Sequence, residues 1–293
     1  MAGFAGTINK TVSLRLPLIP TLFFPSCFPL FLLSLSVFLS PPYLPSIPLP
    51  CFLPFLLSLS CLSLLGEGER GYTVPSVTDD EILDLLASNG DLAPVALCPE
   101  VRAWQARALI PLWERLEAVA GREVEPPFWA FAWPGGQALA RHVLDHPDLV
   151  RGRSVLDFGS GNGIAAIASV LSGASRSVAN DIDAASLSAT RLNAAAGSLE
   201  VQCLERDLLA LPPDTSSYEV ILAGDMFYER RLAERALRWL REAASKGALV
   251  LAGDPGRTYS PGQGVEEVSS HDVPVSLEVE RETPLRARVL RIL

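Results

Sequence analysis

The sequence predicts an α/β fold: a doubly wound, mostly parallel seven-stranded sheet preceded by N-terminal helices. Three observations predict it. From Ser154 onward, short apolar runs alternate with longer Ala- and Leu-rich ones, the pattern of parallel βαβ units. The first apolar run ends in Asp157 and a turn with glycines at 159, 161 and 163, so a strand turns tightly into a helix where Cβ atoms would crowd. Acids stand after each early strand, and ligands bind at the carboxyl ends of strands in such sheets.

The elements follow in order. Thr78-Asp79-Asp80-Glu81 has the form of a capping box, and the apolar run from Ile82 predicts a helix ending near Gly90. A second helical stretch is expected after Pro99-Glu100, carrying Trp104, Leu109, Leu112, Trp113 and Leu116, with Pro111 kinking or splitting it. Residues 126–137 hold four aromatics and two glycines without alternation, so this run is buried or lines a pocket. Strands are expected at Ser154–Asp157, Ser177–Asn180, Val201–Leu204, Tyr218–Ala223 and Ala248–Ala252. Helices are expected from the glycine loop to near Gly173, at Ala184–Ala196 and at Leu232–Ala244. Val275–Val279 and Arg286–Ile292 read as a closing antiparallel pair. Three segments result: a low-complexity tract at 1–70, a helical extension at 71–125 and the catalytic domain at 126–293.

Composition narrows the function. Lys10 and Arg15 are the only charges before Glu67, so the part from Glu67 onward carries −11 against −9 for the whole chain. Such a domain repels nucleic-acid phosphates and favours a lysine-rich protein surface. Residues 16–65 are nearly all Leu, Phe, Ser and Pro. Prolines interrupt every apolar stretch short of the roughly 20 residues a spanning helix needs. No membrane span is expected, and the tract lacks the arginines of a presequence. Translated non-coding pyrimidine-rich sequence, a divergent targeting segment and an anchor remain as its readings, in that order, and none implies a packed fold. Cys98 and Cys203 are isolated from any C-x-x-C spacing, which points to a reducing compartment and no metal site.

The glycine register selects the ligand. A dinucleotide loop needs G-x-G-x-x-G, but residue 164 is Ile164. The pattern present, D-x-G-x-G-x-G, is similar to the first motif of S-adenosylmethionine (SAM) methyltransferases. An acid beside the loop can hold the ligand's ammonium. Asp181 suits the ribose hydroxyls, Asp207 the adenine amino group, and Asp183 fits an N-cap better. Asp225 stands where a substrate would meet the methyl donor. There it can position an incoming ammonium and help remove its proton, with Tyr228 as an aromatic wall or a packing residue.

Together PPFWAFAWPGGQALARHVLDHPD (126–148), RGRSVLDFGSGNGIAAIA (151–168), SGASRSVANDID (172–183), GDMFYE (224–229) and GDPGR (253–257) resemble the electron transfer flavoprotein beta-subunit lysine methyltransferases, class I SAM enzymes with a Rossmann-like sheet. The resemblance covers roughly 120–260 and weakens after Gly256. It implies SAM-dependent methylation of lysines on that flavoprotein subunit; the chain is expected to act as a monomer. It implies Asp157, Gly159, Ser160, Gly161 and Asp181 as cofactor residues. Trp133, Gly135, Gly136 and Gln137 close over SAM, and Asp225 and Tyr228 face the lysine. The compartment is the mitochondrial matrix in a eukaryote and the cytoplasm in a bacterium. Another protein or a small amine is the alternative substrate, and a SAM-binding protein without activity is a third reading. His142 and His146 read as surface or helix-end residues, and Ser160 does not sit in a hydrolase elbow.

Overall fold

The computed structural model describes residues 78–280 and 283–293, so the reading of the tract at 1–70 lies outside them. The chain opens with α1 (Asp79–Asn89) and a two-stranded hairpin, β1 (Gly90–Pro94) and β2 (Arg102–Ala106), followed by α2 (Leu109–Ala120). Thr78 caps α1 as the sequence predicts: its hydroxyl accepts from Glu81 N–H, and the Glu81 carboxylate accepts from Thr78 N–H.

The second helical stretch is corrected. Residues 102–106 are a strand, because Val101 and Ala103 bury their side chains and Trp104 N–H donates to Asn193 Oδ1 at 2.7 Å. The segment at 71–125 is therefore not wholly helical. Pro111 neither kinks nor splits α2, since it falls in the first turn, where its missing N–H has no helical partner to lose. The aromatic run forms a short 3₁₀ turn (Phe128–Ala130) and then enters α3 (Pro134–Asp145). Trp129, Ala130 and Phe131 are buried with Leu112 and Leu116 of α2, so this run joins the extension to the body.

The body alternates β3 (Ser154–Phe158), α4 (Ile164–Leu171), β4 (Arg176–Asp181), α5 (Ala184–Ala196), β5 (Gln202–Glu205), β6 (Val220–Gly224), α6 (Arg230–Ser245) and β7 (Leu249–Asp254). Two antiparallel strands close the sheet, β8 (Val265–Val273) and β9 (Leu285–Ile292). The expected strand at Val275–Val279 is corrected: the partner of β9 is β8, and Pro274 follows it. Charged and hydroxyl side chains fill most of β8, so its sequence carries little apolar alternation.

The strand order is β5-β4-β3-β6-β7-β9-β8. Side chains alternate across the sheet. Leu156, Phe158, Ile221, Ala223, Val250 and Ala252 pack on α6, where Trp239 stacks on Phe158 at 5.1 Å. Val155, Val220, Leu222 and Leu251 face the other side, against Leu139 and Val143 of α3 and Ala165 of α4. His142 is buried rather than surface-exposed, because α3 lies on the β8–β9 pair and Ser269 Oγ meets His142 Nδ1 at 3.0 Å. No described helix is long and apolar enough to cross a membrane. The chain leaves β3 towards β4 and β5, then returns to the other side of β3 as β6. The ends of β3 and β6 thus form the switch point where such sheets bind ligands.

Candidate active site

A concavity opens at that switch point, lined by Trp133, Gly136, Asp157, the loop 159–162, Ile164, Ala165, Gly224 and Asp225. Asp157 is 2% exposed, and its Oδ2 accepts Ala166 N–H at 2.9 Å. Burial pushes its carboxyl up to about 7, with Asp181 adding to the rise. Asp181 ends β4 and braces the loop: its Oδ2 accepts Gly161 N–H and its Oδ1 accepts Asp183 N–H, both at 3.0 Å. Burial pushes this carboxyl up to about 6.

The loop glycines differ in purpose. Gly159 has φ +67°, and a Cβ there would meet Met226 Sδ at 2.6 Å. Gly161 has φ +53° but nothing within 4 Å, so it leaves room. Between them Ser160 Oγ is buried and has no partner among the described residues. Asn162, which the sequence reading passed over, donates from Nδ2 to Phe131 O at 2.9 Å and ties the loop to the aromatic run.

Across the concavity Asp225 follows β6 with φ +54°, a backbone state that Asp tolerates better than most residues. Its N–H donates to Gly253 O, its Oδ2 accepts Gly136 N–H, and its Oδ1 accepts Arg257 Nη2 at 3.1 Å. Burial pushes the carboxyl up to about 6 against the opposing pull of Arg257. Gly135, Gly224 and Gly253 let the N-terminus of α3 settle onto the ends of β6 and β7. A Cβ on Gly135 would run into Gly253 O and the Asp225 carboxylate. The positive end of the helix then lies on an acid.

The other expected residues are dispersed. Gly135 packs and does not line the concavity. Gln137 is buried on the far side of Trp133, donating to Ala132 O and accepting Leu97 N–H. Asp207 caps a short turn through Leu209 N–H and meets Arg235 at 3.4 Å, outside the lining. Tyr228 is 55% exposed and also outside it. Trp133 lines it, with its Nε1 donating to Phe128 O at 2.7 Å. Arg257 lies in the GDPGR motif but is not among the residues assigned to the site from the sequence, and Glu280 belongs to no motif. Asp254 accepts N–H bonds from Gly256 and Arg257, and this turn aims Arg257 at Asp225. No described cluster of His, Cys, Asp and Glu suits a metal ion.

The family described as ribosomal protein L11 methyltransferase (PrmA) matches residues 138–246. The electron transfer flavoprotein beta subunit lysine methyltransferase of Homo sapiens is 40% identical over 198 residues, covering 65% of this chain and 72% of the human protein. Its Danio rerio counterpart is 37% identical over 191 residues, covering 64% and 72%. The chain belongs to the electron transfer flavoprotein beta-subunit lysine methyltransferase family. A solved ribosomal protein L11 methylase from Lactobacillus delbrueckii subsp. bulgaricus covers 54% of this chain and 78% of its own, at 22% identity and a TM-score of 0.39.

As a member of this family the chain is a SAM-dependent methyltransferase, and its site fits that cofactor. The space beside Gly161, the orphaned Ser160 hydroxyl and two buried acids with raised pKa values are what a ligand rich in donors would satisfy. When bound, SAM supplies an electrophilic methyl on a sulfonium.

Proposed function

We propose that this methyltransferase acts on lysines of the electron transfer flavoprotein beta subunit, with Asp225 as the residue that receives the lysine. The names of its relatives support the substrate. So does the −11 charge from Glu67 onward, which favours a lysine-bearing protein surface. The observation that carries the reading is Asp225 itself, buried at the rim shared by the glycine loop and the α3 terminus. A lysine enters as an ammonium of pKa near 10.4, and its nitrogen must lose a proton before it can attack. With its carboxyl near 6, Asp225 is mostly ionised at pH 7. Its Oδ1 can accept from the ammonium, fix its direction and draw off its proton. Trp133 lines the approach as an apolar wall, with Phe128 set edge-on against its ring.

On the cofactor side we assign the ammonium of SAM to Asp157, its ribose to Asp181, and loop contacts to Ser160, Gly159 and Gly161. Residues 126–293 are the catalytic domain in this reading and 71–125 its extension. The animal relatives favour the mitochondrial matrix, which fractionation would test. The deciding experiment incubates the full chain with SAM and the flavoprotein beta subunit and maps methylated lysines by mass spectrometry. Methylation that disappears in Asp225→Ala is the expected result. A chain that binds SAM yet methylates no lysine of that protein would overturn the substrate and leave another protein or a small amine.

A further inference from the structure

We propose that Arg257 is a resident cation in the acceptor site, anchored by Glu280 and exchanged at Asp225 for the substrate lysine. The inference rests on the reading above and adds two positioning residues to it.

The bonding is asymmetric. Arg257 meets Glu280 twice, Nη2 to Oε1 at 2.6 Å and Nη1 to Oε2 at 3.3 Å, and meets Asp225 Oδ1 once at 3.1 Å. Its guanidinium also lies 5.7 Å from the Trp133 ring centre. Glu280 and Trp133 therefore hold it, while the bond to Asp225 is the weaker end. Asp225 has one oxygen committed to a backbone N–H of α3 and the other to Arg257, so only the latter position can change partner.

The charges point the same way. Two largely buried carboxylates face one guanidinium, at 13%, 9% and 21% side-chain exposure. With both acids ionised the cluster carries −1, and one lysine ammonium makes it neutral. Leaving Asp225 with no cation would be costly, because an unpaired buried charge is strongly disfavoured. Arg257 meets that need before substrate arrives. Trp133 divides the glycine-loop concavity from a second depression, lined by Phe131, Pro134, Val275, Val279 and Glu280. Its apolar wall suits the methylenes of a lysine, and Arg257 bridges Glu280 on its edge to Asp225 on the cofactor side.

The test uses full-length Arg257→Met, Arg257→Lys, Glu280→Gln and the double variant Arg257→Met/Glu280→Gln. Melting temperature and SAM affinity by calorimetry establish that each remains folded. The readouts are kcat, KM for the flavoprotein beta subunit, and the pH profile of kcat/KM. Asp225 is faced by Arg257, Glu280 and the N-terminus of α3, and only Arg257 among these side chains lowers its pKa. Arg257→Met should move the acid limb of the profile up by about one pH unit or more, and Arg257→Lys should restore it. Glu280→Gln frees Arg257 to compete for Asp225 and should raise KM on the order of tenfold with little change in kcat. At alkaline pH the double variant should recover part of that KM. An unmoved acid limb would show that Arg257 does not act on Asp225, and a double variant as impaired as Glu280→Gln would leave a static latch; either result overturns the exchange. A wild-type chain that methylates no lysine would instead overturn the underlying reading, and this inference with it.

Discussion

Asp157 shows how the site trades stability for function at the scale of one side chain. Its carboxyl sits at about 7 in the fold against an ordinary 3.8. The folded state therefore binds the extra proton between those values, and the stability this confers is lost as pH rises through about 7. Asp157→Asn keeps an oxygen for Ala166 N–H and removes the buried charge. The ligand-free variant should be more stable at pH 8, by as much as about 4 kcal/mol, with the gain vanishing towards pH 4, while its SAM affinity falls. Thermal denaturation at both pH values and calorimetry with SAM check both halves. The loop glycines make a second contrast. Gly159→Ala adds a clash with Met226 to its backbone strain and should destabilise the fold by about 1–3 kcal/mol. Gly161→Ala meets only open space, so it should cost about 1 kcal/mol in stability and show its main effect in SAM binding.

At the scale of elements, the capping box on α1 is a local device with a measurable share. Thr78→Ala removes the hydroxyl that accepts from Glu81 N–H, keeps the backbone N–H that donates to the Glu81 carboxylate, and should lower stability by about 1 kcal/mol, read from chemical denaturation, while leaving SAM affinity alone. Elements with a strong internal pattern were legible in the sequence: α1, α5 and β3 to β7 fall within about two residues of their expected bounds, the ordinary uncertainty of an element end. Three strands, β1, β2 and β8, were not legible. In β2 the spacing of Trp104 with the apolar residues of α2 imitates one helix, and only pairing with β1 and the bond to Asn193 reveals a strand. In β8 there is almost no apolar pattern to read, because it is an edge strand. The site divides in the same way. Acids that follow strands can be found by position along the chain. Glu280 cannot, since it reaches Arg257 from an irregular segment by tertiary folding alone. Gln137 reads as a ligand-facing residue in its motif, yet its amide is spent on the backbone of residues 97 and 132.

For the whole molecule, pH acts through groups far from the concavity as well as within it. All three histidines of the chain come together where α3 meets the β8–β9 pair. Burial lowers His142 from 6.5 to about 4, with His146 and His271 pushing the same way. Its stabilising contribution is present above 6.5 and lost as pH falls through about 4, because the unfolded chain takes up the proton first. His142→Asn should therefore flatten the fall in melting temperature between those values, by an amount equivalent to about 3 kcal/mol. Circular dichroism melts across the window would show the two curves converging at low pH if the assignment holds, and parallel if it does not.

The strand order also bears on synthesis. Residues 285–292 are the latest of the sheet strands to be made, yet they take an interior place between β7 and β8. While they are still being polymerised, β8 has no neighbour to join, β7 presents a bare hydrogen-bonding edge, and Asp254 lacks its contact with Arg288. The turn that aims Arg257 is therefore completed only after elongation has passed Arg288. A nascent chain stalled before that point would carry a formed glycine loop beside an unfinished acceptor side, with an open strand edge for a chaperone, or another nascent chain, to occupy.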